Sequence, residues 1–175
     1  MIQLWKEFLI ALTFLTSMTG ISLPDDLLHN LPKVEEESND LTEEWIFTQT
    51  EKIMEQLVQP TDEEYRVLHF NNKQQLVDSF LPYASKSFAQ KLVDLYYEER
   101  NGALYIIPTE TPPWFVPQTA YTIQKISPDQ YNVIQTNESE LYGRYTITLH
   151  FKRNNHGIWI VDDVTYPTDK DPERK

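Results

Sequence analysis

The chain has 175 residues, no cysteine, and 27 acidic against 15 basic side chains, a formal net charge of −12. These numbers exclude disulfides, cysteine-ligated zinc, thiol nucleophiles and a cysteine-linked lipoprotein anchor. They also leave no basic footprint with which to displace counterions from a nucleic acid. Apolar residues make up 40% and include 8 Phe, 10 Tyr and 4 Trp, enough to bury a core without covalent staples.

Residues 1–22 come first. Phe8 to Thr19 is an uncharged apolar run behind Lys6. An apolar run of about 7–15 residues after a positive start has the form of a secretory signal, whereas a membrane helix needs about 20. Gly20 and Ser22 can serve as the small residues of a cleavage site. Two readings stay open, a cleaved signal peptide or an uncleaved membrane anchor, with a buried N-terminal helix as the bland alternative. Either of the first two places the protein outside the cytoplasm, secreted or tethered by residues 1–22. Membrane contact is then expected only through that segment, and only if it is retained. The lack of cysteine points to a bacterial exported protein, since secreted eukaryotic domains of this size often carry disulfides.

Residues 23–40 are a polar linker with two prolines and an acidic run. The domain is expected over 41–166. Asp40 with Glu43 has the spacing of a capping box, and Trp45, Ile46, Ile53, Met54, Leu57 and Val58 follow at helical spacing up to Pro60. Tyr65 to Phe70 has strand composition. Asn71 and Asn72 can cap a second helix carrying Leu76, Val77, Phe80 and Leu81. A third helix is predicted from Ser85 to Arg100, with Phe88, Leu92, Leu95 and Tyr96 as its stripe, Glu98 and Glu99 at its solvated end, and Asn101-Gly102 as its stop.

From Ala103 the period becomes two. Strands are predicted over Ala103 to Ile107, Thr119 to Ile126, Tyr131 to Thr136, Leu141 to Phe151 and Ile158 to Tyr166. In the strand before last, Leu141, Tyr145, Ile147, Leu149 and Phe151 share one face; Tyr142, Arg144, Thr146, Thr148 and His150 share the other. Residues 167–175 read as a disordered charged tail. Helices followed by an antiparallel meander make the fold class α+β, with N-terminal helices packed on the sheet.

The alternating strand, the Asn154-Asn155-His156-Gly157 turn and the segment Ile158-Trp159-Ile160-Val161-Asp162-Asp163-Val164 resemble the closing hairpin of nuclear-transport-factor-2-like domains. Cystatin-like domains are similar in build. The resemblance implies a curved, cone-like sheet wrapped over helices. The layout is also similar to small exported proteins of Gram-positive bacteria, among them a secreted peptidoglycan endopeptidase inhibitor. Such folds host isomerases, dehydratases and pure binders, so function has to be argued from residues.

Two residues are candidates for chemistry. Alternation along the last strand places Asp162 on the side of Ile158, Ile160 and Val164, opposite Asp163. An inward carboxylate there would be desolvated and could act as acid or base, as the pocket acid does in isomerase-type members of the resembling fold. His150 could act as a base if its face were the concave one; otherwise it is a half-exposed strand residue. No H-x-x-x-H or H-E-x-x-H pair, G-x-G-x-x-G, phosphate loop or G-x-S-x-G elbow occurs, so neither a metal nor a cofactor is expected.

The Pro-rich stretch Thr111 to Pro117 is the remaining candidate. Pro112, Pro113 and Pro117 stiffen a segment that carries Trp114 and Phe115. Rigid aromatic anchors bind at low entropic cost, so Trp114, Phe115, Pro112 and Pro113 form a candidate binding surface. The alternative is that the two rings fold back as a lid on the domain's own core. The expected function is an exported, non-enzymatic binding or regulatory module of the cell envelope, with an envelope protein or ligand as partner. The alternative is a small pocket enzyme of the isomerase or dehydratase type using Asp162 or His150.

Overall fold

Among the described residues three helices lie ahead of two antiparallel sheets, and the order follows the change of period in the chain. The computed structural model describes residues 40–167. The expected signal or anchor segment, the expected linker up to residue 39 and the expected tail from residue 168 lie outside the described residues. Helix α1 spans Glu43–Leu57, α2 Lys73–Phe80 and α3 Lys86–Tyr96. Strands β1 (Tyr97–Arg100) and β2 (Ala103–Ile106) form a two-stranded sheet. Strands β3 (Thr122–Ser127), β4 (Gln130–Ser139), β5 (Gly143–Arg153) and β6 (Trp159–Thr165) form the main sheet in sequence order. Among the described residues no helix is long and apolar enough to cross a membrane.

Each helix starts on a side-chain oxygen. Asn72 caps α2 by accepting from Gln75 N, and Ser85 caps α3 by accepting from Phe88 N. The cap of α1 is Thr42, which accepts from Trp45 N. Asp40 does not form the expected capping box. Its carboxylate accepts from Tyr131 OH at 2.5 Å and from Lys125 Nζ at 2.8 Å, tying the start of the domain to β3 and β4.

The third helix is shorter than its composition suggests. It stops at Tyr96, and Tyr97–Arg100 turns back against β2 through Asn101 (φ 50) and Gly102 (φ 76). Two successive positive φ angles are what a tight hairpin needs, and Asn-Gly supplies them. Glu98 and Glu99 therefore sit on a strand rather than at a helix end. Tyr97 is fully buried and Leu95 is exposed, the reverse of a continued helical stripe. The segment from Tyr65 to Phe70 forms isolated bridges at Arg66 and Val67 and no regular strand.

The core lies between the helices and one face of the main sheet. Ile46, Ile53 and Leu57 from α1, Leu76 and Phe80 from α2 and Val93 from α3 meet Val133, Ile147, Leu149, Phe151 and Val161, all at 1% exposure or less. Leu141, expected on the apolar face of β5, lies ahead of that strand and is exposed. The connector between α2 and α3 runs beside β6: Val161 N donates to Tyr83 O and Ser85 N donates to Val161 O. That covers one edge of the sheet. The other edge is β3, with Ile123 and Ile126 both exposed.

Candidate functional site

The 15-residue passage from β2 to β3 holds the Pro-rich stretch, and hydrogen bonds fix it along much of its length. Three tyrosine hydroxyls donate to successive parts of its backbone: Tyr142 to Thr111 O, Tyr166 to Pro113 O at 2.7 Å and Tyr145 to Trp114 O at 2.8 Å. Proline lacks an N–H, so a segment with Pro112, Pro113 and Pro117 cannot pair as a strand. Its carbonyls still need donors, and the tyrosines supply them. Gln135, buried on the inner face of β4, completes the attachment. Its Oε1 accepts from Val116 N at 2.8 Å and its Nε2 donates to Val116 O and Thr119 O.

This attachment separates the two aromatic rings. Phe115 is 5% exposed and sits in a three-ring cluster, 5.9 Å from Phe47 and 5.5 Å from Tyr121. It folds back as a lid on the core, the alternative expected for this ring, while one side of it still borders an open space beside α1. A buried ring in van der Waals contact gains more than one left in water. Trp114 is half-buried, and its indole Nε1 donates to Thr50 O on α1 at 3.2 Å. Pro112 and Pro113 are also half-buried.

Between α1 and the loop lies an open groove of about 400 Å³, lined mainly by apolar atoms of Phe47, Met54, Trp114, Phe115 and Pro117, with Thr50 and Glu51 at its side. Phe47, Glu51 and Met54 follow one another at three- and four-residue spacing, so one flank of α1 faces the groove. The sequence reading found the loop side and missed this helix side. Met54 had been assigned to the core stripe, and Phe47 to no stripe at all.

The other two candidates lie across the sheet. A bulge in the β5–β6 ladder pairs His150 with Asp163 and Phe151 with Val161, leaving Asp162 as the extra residue. The bulge breaks strict alternation. Asp162 keeps the side of Ile160, but that side is the outer one, since Trp159 and Val161 point beneath the apolar face; the bulge turns Asp163 outward as well, so the two carboxylates do not lie on opposite faces as expected. Its carboxylate meets Lys152 Nζ at 2.5 Å, and Asp163 meets Lys91 Nζ at 3.0 Å. His150 Nδ1 lies 2.9 Å from Asn132 Oδ1, and Nε2 lies 2.9 Å from Thr165 Oγ1. The amide oxygen can only accept, so Nδ1 is the donor in the contact with Asn132. His150, Asn132, Lys152, Asp162 and Asp163 line an open depression of about 420 Å³ with Ile126. His150, Asp162 and Asp163 thus share the outer face, but each is engaged by a neighbour. Among the described residues no group of three or more His, Asp or Glu side chains is placed to hold a metal ion.

Compared with known proteins, the chain has no significant match to any protein-family model, curated protein or solved structure.

Proposed function

We propose that the chain is a binding or regulatory module that works outside the cytoplasm, secreted or tethered by residues 1–22, and that it holds an envelope protein or ligand in the groove between α1 and the Pro-rich loop. The observation that carries this reading is the way Trp114 is presented. Three tyrosine hydroxyls, Gln135 and the Thr50 carbonyl fix the loop, while part of the indole remains open to a mostly apolar groove. A partner would then dock on a surface whose ordering cost has been met by folding. The kinship with nuclear-transport-factor-2-like or cystatin-like domains, including a cone-like sheet, belongs to the same proposal. Its support is the order of helices and strands and the closing β5–β6 hairpin.

The pocket-enzyme reading has less support. Catalysis in such folds uses a cavity between sheet and helices, and here Ile53, Phe80, Leu149 and Phe151 fill that space. His150 and Asp162 lie on the opposite, open face, and both ring nitrogens of His150 have partners.

Capture from an envelope extract tests the proposal with three full-length proteins: wild type, Trp114→Ala and His150→Ala. A thermal melt first confirms that each is folded. The expected result is a partner retained by wild type and His150→Ala and lost by folded Trp114→Ala. Retention by Trp114→Ala with loss by His150→Ala would move the site to the outer face of the sheet and overturn the reading.

A further inference from the structure

The charges that flank the groove specify what it can accept. Glu43, Phe47 and Glu51 stand four residues apart on α1, so all three project from one side of the helix. Glu43 lies close enough to Tyr121, which packs on Phe47 and Phe115, to raise that phenol's pKa after burial has done so. Glu51 lines the groove itself. Both carboxylates are exposed, and among the described residues neither makes a salt bridge. Glu43 has a local reason to be acidic, because it lies in the first turn of a helix, where negative charge is favourable. Glu51 stands mid-helix beside an apolar groove and has no such reason.

We propose that the groove binds an extended peptide segment that places one bulky apolar side chain against Phe47, Met54 and Trp114, between two cationic side chains that pair with Glu43 and Glu51. Spacing sets the sequence pattern. Eight residues of helix separate the carboxylates by about 12 Å. An extended chain covers about 13 Å in four residues, with alternate side chains on one side. A Lys or Arg two residues before and two residues after the apolar anchor therefore matches both carboxylates and the groove together. A helical ligand would need its cations eight residues apart. Met54 suits such a site, since an unbranched, polarizable side chain adapts to different anchors. The inference rests on the groove being the binding site and adds the chemical class of its partner.

The test uses the full chain and short blocked peptides in calorimetric titration. One peptide has a lysine two residues either side of a central phenylalanine; a second replaces both lysines by glutamate; a third replaces the phenylalanine by alanine. The first should bind with Kd in the millimolar range or tighter, at least about 10-fold better than either control. In the surface variant E43Q/E51Q its affinity should fall at least about 3-fold, the scale of two exposed ion pairs, and its advantage over the glutamate peptide should largely vanish. Lack of binding by the lysine peptide, equal affinity for the lysine and glutamate peptides, or an advantage unchanged in E43Q/E51Q would each overturn the inference. Those failures concern ligand class alone. The groove as a binding site fails separately, when folded Trp114→Ala still captures its envelope partner.

Discussion

Tyr97 joins three parts of the chain through one phenol. Its hydroxyl donates to Leu57 O at 2.6 Å and accepts from Gln59 N, so it closes the C-terminal end of α1 while its backbone starts β1. The ring is fully buried, and burial pushes its pKa from 10.0 up to about 12. The folded-state value is raised, so the neutral phenol's contribution is complete below pH 10 and is lost as pH climbs toward 12. Two units correspond to at most about 3 kcal/mol. Tyr97→Phe should cost about 1–2 kcal/mol at pH 7, the scale of a buried hydrogen bond lost with one partner left behind. It should also flatten part of the decline in stability between pH 10 and 12. Urea unfolding of both proteins at pH 8 and pH 11 measures the two effects. An equally steep alkaline loss in the variant would assign the decline to other phenols, of which Tyr166 is also raised by burial.

At the scale of elements, the loop from β2 to β3 has divided duties. Phe115 seals the core and Trp114 faces the groove, so their substitutions should separate. Phe115→Ala should cost about 3–5 kcal/mol, as for other buried aromatic truncations. Trp114→Ala should cost clearly less, because the indole is half-buried and gives up one hydrogen bond. Denaturant melts of the two single variants decide it; equal losses would make Trp114 part of the core and remove the groove's open wall. The importance of the loop was legible in its prolines and adjacent aromatics, but the fate of each ring was not. Non-periodic segments carry no face assignment. The donors that fix this one, Gln135, Tyr142, Tyr145 and Tyr166, come from residues up to 53 positions away. Helix starts were legible where the capping residues lay directly before the helix, as at Asn72 and Ser85, and slipped by two residues where Asp40 and Thr42 competed. The β1–β2 hairpin was hidden because Tyr96 and Tyr97 extend a helical pattern, and only pairing with Ala103–Ile106 makes a strand of the second. Asp163 escaped alternation for a similar reason: a bulge is set by the partner strand and leaves no mark in an alternating sequence.

For the whole molecule, the arrangement implies a sharp difference between the two faces of one sheet. Helices cover the inner face of β4–β6; the outer face carries Asn132, Thr148, His150, Lys152 and Asp163, and Lys91 of α3 reaches it at Asp163. Ile147 and His150 lie three residues apart on the same strand and on opposite faces, so a comparison between them keeps the strand and changes the face. Ile147 is fully buried against the helices. Ile147→Ala removes buried methyl and methylene groups and should cost about 2–5 kcal/mol. His150→Ala gives up two hydrogen bonds on a solvent-facing surface, where water replaces the lost partners, and should cost less than about 1 kcal/mol. Chemical denaturation of the two variants under identical conditions measures the difference. Leu92→Ala on α3 gives the matching test from the helical side. Leu92 is 7% exposed in the same cluster, so its loss should fall in the same range as that of Ile147. If His150→Ala costs as much as Ile147→Ala, the outer face is itself a buried layer, covered by a part of the chain or a second molecule. The proposal that the groove on α1 is the principal binding surface would then lose its basis.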